Sequence, residues 1–478
     1  MLRFVDDSPV GPLALSRREW LRIGGFGLGS RLLGSLPRAA LANESAVGGP
    51  GFGRARSVLL IYASGGQSQL DMWDPKPEAP VEIRGEFSSI VTRTPGLRLC
   101  EHMPQLAQVM DRCTVLRTMS HDDVDHGSAT YLALTGQFHA QKSGNPPISP
   151  NDIPTYGSVL TRVRPCRTFP YTSVHVNAPA LTPTLPAPGQ SAGLLGRGFD
   201  PLEIGDVSAG SIVIPELQQL PGLPPVRHDS RRTLLESIDR HARTLEGDRR
   251  RLELDAIYRQ AYELLSAPQC RKAFDVSAEP KSVRDRYGRH RTGQACLLGR
   301  RLVEAGVPWI TVIWNNQNRG QDHSPRDIDA YGWDTHNDIF DALKKYLLPR
   351  FDVTLSVLLE DMDQRGLLDT TLVVCMGEFG RAPVVAHEAK FKGASPGRKH
   401  WASAYSILLA GAGIKRGATV GETDATGGYP ATTPYSPGDL SATMFAALGV
   451  DPAGHFQDPE GRPYQIATGR PIHEAYAG

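Results

Sequence analysis

Three short runs of consecutive apolar residues stand out along the chain, at positions 57–63, 309–314 and 371–376. Each run is rich in Val, Ile and Leu and shows no alternation with polar residues. That pattern is typical of strands that are buried on both faces of a parallel sheet. A shorter run at 406–410 predicts a further strand. The chain therefore contains the apolar segments that the core of a sheet requires.

Helical periodicity precedes two of these strands. Apolar residues recur at helical spacing over 293–305 and over 339–364, and the two patterns stop at Gly306 and Gly366. A last helical segment spans 439–448. Because helices alternate with buried strands, we predict an α/β fold with a doubly wound, mostly parallel sheet flanked by helices.

A long stretch between the first two strands interrupts this alternation. Residues 140–225 are rich in proline and irregular, and residues 231–265 are highly charged with a helical period. No internal repeat is visible. We interpret the region of about 140–290 as an insertion or cap on a single α/β domain that spans residues 43–478.

The amino terminus carries an export pattern. Arg17 and Arg18 precede a glycine-rich, weakly apolar stretch at 23–36, and Ala-Leu-Ala at 40–42 offers a cleavage site. This layout resembles a twin-arginine signal peptide of residues 1–42. It predicts an exported protein, periplasmic or extracellular, and a disordered amphipathic leader is the alternative.

The composition argues against a nucleic-acid-binding or membrane-spanning protein. Lys and Arg number 52 against 51 Asp and Glu, so the formal net charge is +1. A chain this close to neutral is not expected to bind nucleic acid or an anionic membrane surface by bulk charge. No segment has about 20 consecutive apolar residues, so we expect no membrane span. The 49 Gly and 38 Pro residues indicate many turns and long loops.

Charged and metal-ligating side chains follow each of the three apolar runs at 57–63, 309–314 and 371–376. They are Asp71 and Asp74, Asp334 and His336, and Glu378 and Arg381. The carboxyl ends of parallel strands meet at one edge of a sheet, and ligands bind at that edge in open α/β folds. We therefore expect these side chains to lie close together.

This edge has the residues of a divalent-metal site. Asp334 and His336 are two positions apart, so in an extended segment they face the same side and offer an oxygen and a nitrogen ligand. Glu378 adds a carboxylate and His400 a second imidazole. Such a mixed set suits zinc, manganese, magnesium or calcium. The alternatives are a capped loop with a hydrogen-bonded histidine, and an ion pair between Glu378 and Arg381.

A second group of candidates precedes a predicted short helix at 131–136. His126 and Ser128 stand at its amino terminus, where the helix dipole favours anions. His126 is a candidate nucleophile or general acid or base, and Ser128 is a nearby catalytic candidate. Ordinary capping by Asp125 or Ser128 is the alternative. Arg381 is suited to bind an anion through two parallel hydrogen bonds.

Seven short motifs extend over most of the chain after the leader and carry a family resemblance. They are Ser64-Gly65-Gly66, Asp74-Pro75-Lys76-Pro77, Arg84-Gly85-Glu86-Phe87, His126-Gly127-Ser128, Gly332-Trp333-Asp334-Thr335-His336, Gly377-Glu378-Phe379-Gly380-Arg381 and His400-Trp401. Together they resemble the alkaline phosphatase/sulfatase superfamily, and more closely an exported family of unknown function numbered fifteen-oh-one.

The resemblance implies a hydrolase of phosphate or sulfate esters that holds two metal ions around a nucleophile. It implies that Asp334, His336 and His400 hold one ion and that Glu378 takes the place of a ligand to the second. His126 stands in the position of the nucleophile. The substrate implied is a small or polysaccharide-linked anionic ester.

The sequence departs from the superfamily pattern in three places. Ser64 stands where a carboxylate usually ends the first strand, so Asp71 or Asp74 would have to supply that ligand. Phe379 occupies the position of a ligand histidine, and His126 replaces a Ser, Thr or Cys nucleophile. These departures leave a second hypothesis open, a non-catalytic scaffold that keeps the fold and binds a metal or another ligand.

Overall fold

The computed structural model describes residues 48–208, 268–320 and 328–477. The predicted signal peptide at 1–42 and the charged segment at 231–265 lie outside these residues. None of the helices described is long and apolar enough to cross a membrane.

An eight-stranded sheet forms the centre of the fold. Its strands, in spatial order, are β12 (Ala418–Val420), β4 (Cys113–Met119), β11 (Tyr405–Ala410), β8 (Thr371–Met376), β1 (Ser57–Tyr62), β7 (Trp309–Ile313), β5 (Ser173–Val176) and β6 (Leu202–Ile204). Neighbouring strands are parallel except at β11, which is antiparallel to both β4 and β8. The predicted fold class, a mostly parallel α/β sheet, is confirmed.

The remaining elements are shorter strands and the helices. The shorter strands form pairs: β2 (Ser89–Val91) with β3 (Arg98–Cys100), β9 (Gly380–Arg381) with β10 (His400–Trp401), and β13 (His455–Gln457) with β14 (Pro463–Gln465). The α-helices are α1 (Gln69–Met72), α2 (Val81–Arg84), α3 (Pro104–Ala107), α4 (His126–Thr135), α5 (Tyr156–Val163), α6 (Pro268–Phe274), α7 (Lys281–Tyr287), α8 (Arg291–Glu304), α9 (Ile339–Ala342), α10 (Leu348–Gln364) and α11 (Pro437–Ala447).

The central strand β1 shows why its sequence lacks alternation. Leu59 and Ile61 pack into one core, which also contains apolar residues of α8 and α10. Val58 and Leu60 pack into a second core on the opposite face, together with residues of α5 and α11. Every residue of β1 is buried. A strand covered by helices on both faces needs an apolar side chain at nearly every position.

The predicted helix at 339–364 is continuous but not uniformly α-helical. A π-helical turn, Leu343–Leu347, joins α9 to α10. Pro349 lies in the first turn of α10, and its missing N–H removes one regular backbone hydrogen bond to the preceding turn. The π turn accommodates this loss without ending the helix.

Two features of the sheet were not predicted. Strand β4 lies inside the sheet, but the polar residues Thr114, Arg117 and Thr118 interrupt its apolar pattern. Strands β5 and β6 belong to the region predicted as an insertion, yet they extend the main sheet beside β7. They have four and three residues, too few to stand out in a proline-rich stretch. This part of the region is therefore not a cap.

Candidate metal centre

Asp334 lies at the centre of a cluster at the carboxyl edge of the sheet. Its Oδ1 is 3.0 Å from Nε2 of His336 and 3.1 Å from Nε2 of His400. The two Nε2 atoms are 2.9 Å apart. Its Oδ2 is 3.3 Å from Nε2 of His126. The structure thus brings four of the predicted site residues together.

His400 faces this cluster with a lone pair. Its Nδ1 is 2.6 Å from the carbonyl oxygen of Val124, which can only accept a hydrogen bond, so Nδ1 carries the hydrogen. Burial and the positive charge of His126 lower the pKa of His400 to about 3. The ring is therefore neutral near pH 7, and Nε2 has no proton.

His336 is oriented in the same way by a carboxylate. Its Nδ1 lies 2.5 Å from Oε2 of Glu388 and donates to it. In the neutral ring, Nε2 then carries the lone pair. This lone pair points at Asp334 and His400, both of which present acceptor atoms to it.

These three residues fit a divalent metal ion. Their Nε2, Oδ1 and Nε2 atoms form a triangle with edges of 2.9–3.1 Å, which either a proton on Nε2 of His336 or a bound cation would hold together. Ligand atoms about 2.0–2.2 Å from one ion are about 3.3–3.6 Å from each other in tetrahedral geometry and about 2.8–3.1 Å in octahedral geometry, so the observed edges suit the octahedral case. The nitrogen of His126 is near enough to join such a site after the ring loses a proton, because the ligand atoms of His126, Asp334 and His400 all lie within 4.8 Å of one another.

His126 begins helix α4 and is held between two carboxylates. Its Nδ1 is 2.6 Å from Oε1 of Glu378, and its Nε2 faces Asp334. Burial by itself would lower the pKa of His126, but the Asp334 and Glu378 carboxylates raise it to about 9. Asp125 caps the helix by accepting a hydrogen bond from the Gly127 amide. The capping role therefore falls to Asp125, and the His126 ring joins the cluster.

Glu378 supports His126 and lies outside the ligand triangle. Its Oε1 accepts a hydrogen bond from the Gly65 amide at 2.8 Å, and its Oε2 accepts one from the Tyr62 hydroxyl at 3.1 Å. Its backbone carbonyl lies 2.7 Å from Nε2 of His121. These contacts hold the carboxylate against Nδ1 of His126. This arrangement favours a supporting role for Glu378, through His126, over the direct metal ligation that the sequence predicted.

Arg381 was predicted to bind an anion, and the structure places it inside the protein instead. Its side chain is fully buried, with Nε 3.0 Å from the Gly66 carbonyl and Nη1 3.2 Å from the Arg398 carbonyl. Its Nη2 donates to the Gly65 carbonyl and to Oδ1 of Asp334, the latter at 2.8 Å. Because all three nitrogens are engaged, Arg381 holds the loop after β1 and fixes Asp334.

Asp71 and Asp74 were predicted as metal ligands, and both are committed to other partners. The two oxygens of Asp71 accept hydrogen bonds from Arg398 at 2.7 and 2.9 Å. Asp74 forms ion pairs with Lys76 at 3.1 Å and with Arg117 at 3.2 Å. Because their charges are already compensated there, the structure does not support a metal-binding role for either residue.

Ser128 also forms its hydrogen bonds with residues outside the cluster. Its buried hydroxyl donates to Oδ1 of Asp123 at 2.8 Å and accepts a hydrogen bond from the Gly144 amide at 3.2 Å. These contacts tie a neighbouring loop to helix α4. They leave His126 as the candidate catalytic residue from this helix.

A cavity of about 310 Å³ opens beside the cluster. One part of its wall consists of His126, Asp334, His336 and His400, and polar residues line another part: Asn145, Thr182, Asn318 and Arg319. Within the described part of the chain, Oδ1 of Asn318 is buried and has no hydrogen-bond partner. The volume is at the lower end of the range for ligand pockets, which favours a small ligand.

Asn318, Arg319 and Glu388 were not anticipated from the sequence. Asn318 and Arg319 follow β7, so the strand-end rule that selected Asp334 would also have selected them. Glu388 has no comparable signal, because 52 positions separate it from its partner His336.

The fold and the site together define a mixed α/β protein with a candidate divalent-metal centre at the carboxyl edge of its sheet. The chain belongs to the family described as Protein of unknown function (DUF1501), which matches residues 55–476. This match confirms the family resemblance of the sequence motifs. Among curated proteins, none matches this chain.

Several solved structures are similar to this chain at low sequence identity. The phosphonate monoester hydrolase SpPMH from Silicibacter pomeroyi is 12% identical, with a TM-score of 0.40 over 87% of this chain and 75% of that one. The lipoteichoic acid synthase LtaP from Listeria monocytogenes is 10% identical, with a TM-score of 0.36 over 87% and 76% of the two chains. A mutant of the alkaline phosphatase PafA is 11% identical, with a TM-score of 0.38 over 89% and 99%.

Proposed function

We propose that this protein is an exported, metal-dependent hydrolase of small phosphate or sulfate esters. The observation that supports the proposal is the triangle formed by Oδ1 of Asp334 and the Nε2 atoms of His336 and His400, which has the spacing of a metal coordination shell. The adjoining cavity gives an ester room to reach that site.

The residues of the cluster have separate roles in this proposal. A divalent ion held by Asp334, His336 and His400 would lower the pKa of a bound water and polarise an ester oxygen. Glu378 occupies Nδ1 of His126, so Nε2 is the ring atom directed towards Asp334 and the cavity. Because the pKa of His126 is raised to about 9, Nε2 carries a proton near pH 7 and would donate it to the leaving ester oxygen. A role as nucleophile or base would require the ring to lose that proton first.

Arg319 replaces Arg381 as the residue that attracts the anionic ester. It lines the cavity and carries a permanent positive charge. We expect Arg319→Met to raise the KM for a negatively charged ester while the bound metal stays unchanged. Steady-state kinetics with elemental analysis of the same sample measures both quantities, and an unchanged KM would contradict the assignment.

The central experiment combines metal content with activity. Purified protein is loaded with zinc or manganese and assayed against phosphate monoesters, phosphate diesters and sulfate esters. His336→Ala and Asp334→Asn are expected to lose both bound metal and activity, because each removes a ligand from the triangle. His455→Ala, at an exposed position of β13, is the matched control. The proposal fails if wild type binds no divalent ion, or if the two variants retain it.

A non-catalytic metal-binding scaffold is the second candidate. Phe379, at the position where the resemblance implies a ligand histidine, packs its ring against His126 and His400 with centroid distances of 5.0 and 4.7 Å. This apolar ring lies beside the cluster and supplies no second-metal ligand. Stoichiometric binding of one ion without turnover of any ester in the panel would favour the scaffold over the enzyme.

Export rests on the sequence of the first 42 residues. We propose that Arg17 and Arg18 direct the folded protein through the twin-arginine route. A reporter fused after residue 42 should leave the cytoplasm, and replacing both arginines by lysine should retain it there. Equal export of the two fusions would rule this route out.

A further inference from the structure

The loop between β9 and β10 contacts His336 through two side chains. Glu388 accepts the hydrogen bond from Nδ1 of His336 at 2.5 Å. The ring of Phe391 stacks on the His336 imidazole, with centroids 3.9 Å apart and an interplanar angle of 19°. The carboxylate thus restrains the imidazole within the plane of the ring, and the stacked phenyl ring restrains it perpendicular to that plane.

The backbone of this loop is anchored to the residue after His336. The side-chain amide of Asn337, which is fully buried, donates to the Glu388 carbonyl at 2.9 Å and to the Phe391 carbonyl at 3.1 Å. Its Oδ1 accepts a hydrogen bond from the Glu388 amide at 2.9 Å. The position of Glu388 is therefore set by residues adjoining the metal site.

We propose that Glu388 is a positioning residue for the metal ion: it holds the His336 ring in the tautomer and orientation that present Nε2 to Asp334 and His400. This inference rests on the metal site of the proposed function and extends it to a residue that is not itself a ligand. The observation behind it is the direct contact of the carboxylate with Nδ1, on the opposite side of the ring from the ligand atom.

The effect expected of Glu388 follows from general coordination chemistry. A carboxylate that accepts the Nδ1 hydrogen of a ligating histidine fixes its tautomer and makes Nε2 a better donor to the metal. Loss of such a partner typically lowers metal affinity about 10- to 100-fold. Lys399, whose Nζ is 3.3 Å from Oε1 of Glu388, compensates part of the carboxylate charge without occupying Oε2.

The test compares Glu388→Ala, Glu388→Gln and the control Glu86→Ala, at an exposed position outside this loop. Zinc affinity is measured by competition with a chromophoric chelator, and the visible spectrum of the cobalt-loaded protein reports the coordination geometry. We expect Glu388→Ala to weaken zinc binding about 10- to 100-fold and to alter the cobalt spectrum. Glu388→Gln keeps an acceptor for Nδ1 but loses the charge, so its affinity should be intermediate.

The outcomes separate this inference from the proposed function. If wild type and Glu86→Ala bind no zinc, the metal site itself is wrong. If they bind zinc and Glu388→Ala binds it equally well with an unchanged cobalt spectrum, the metal site stands and the positioning role of Glu388 is wrong. Partial recovery in Glu388→Gln supports a role through Nδ1, and circular dichroism of each metal-free variant verifies that the fold is retained.

Discussion

Asp334 is an unusual carboxylate because its environment favours the charged form despite burial. Burial would raise the pKa of Asp334, but the positive charges of His126 and Arg381 hold it well below its ordinary value. Arg381 also orients the carboxylate by donating to Oδ1. Asp334 is consequently ionised across the physiological pH range and available as an oxygen ligand.

At the same scale, Arg381→Met tests whether Arg381 is structural. The variant leaves Asp334 without its buried cationic partner and leaves the Gly65 and Gly66 carbonyls without their donor. Breaking a buried ion pair in this way costs about 3–5 kcal/mol of the free energy of unfolding. Urea denaturation measures the loss. If the variant keeps wild-type stability and loses only substrate affinity, the structural role is wrong and Arg381 binds the anion, as the sequence predicted.

His175 predicts an acid-sensitive contribution to stability. It lies in β5, and burial lowers its pKa from 6.5 to about 4. Between these values the unfolded chain binds a proton that the folded chain does not, so stability decreases as the pH falls from about 6.5 to 4. The shift corresponds to about 3 kcal/mol. His175→Leu should lose less stability than wild type between pH 7 and pH 4.5 in urea titrations, and equal losses would contradict this.

At the scale of elements, the ends of helices are set by side chains close in sequence. Helix α11 begins with a capping box, in which the Ser436 hydroxyl accepts a hydrogen bond from the Asp439 amide and the Asp439 carboxylate accepts one from the Ser436 amide. Pro437 occupies the first turn, where its missing N–H costs nothing. The residues of α11 that face the sheet belong to one of the two cores.

Removal of this cap gives a prediction for the element as a whole. Ser436→Ala deletes the acceptor for the Asp439 amide and should lower the free energy of unfolding by about 1 kcal/mol. Thermal or urea unfolding measures the change. Ser436→Thr retains a hydroxyl acceptor and serves as the control. A destabilisation of the same size in both variants would show that the cap hydrogen bond is not the cause.

For the whole molecule, the candidate metal site joins segments that are distant in sequence. Asp334 and His336 follow β7, His400 belongs to β10, and His126 begins α4. An ion held by these residues binds the folded chain and not the unfolded one, because only the fold brings the ligands together. Metal binding should therefore stabilise the global fold.

This linkage can be measured without a substrate. At a free ion concentration about 100 times the dissociation constant, the stabilisation is about 2.7 kcal/mol. We expect zinc to raise the Tm of the chelator-treated protein, with no comparable rise in His336→Ala. The exposed-site variant His455→Ala should respond like wild type. A Tm that zinc leaves unchanged in wild type would argue against ligation by these residues.

The sequence by itself determined the sheet core and most of the candidate metal ligands. Strands β1, β7 and β8 could be predicted because burial on both faces requires apolar residues throughout, and such runs are visible without any alignment. Asp334 and His336 could be predicted because the strand-end rule places ligands at the carboxyl edge of a parallel sheet. Both inferences depend on residues that are close together along the chain.

Only the tertiary structure decided which of the candidate side chains face the site. Asp71 has the chemistry of a metal ligand and Arg381 that of an anion-binding residue, yet Arg398 neutralises the first and backbone carbonyls surround the second. Conversely, Glu388 reaches His336 only because the loop between β9 and β10 folds back onto it. Charge compensation and hydrogen bonding depend on neighbours in space, and residue type and local spacing do not specify those neighbours.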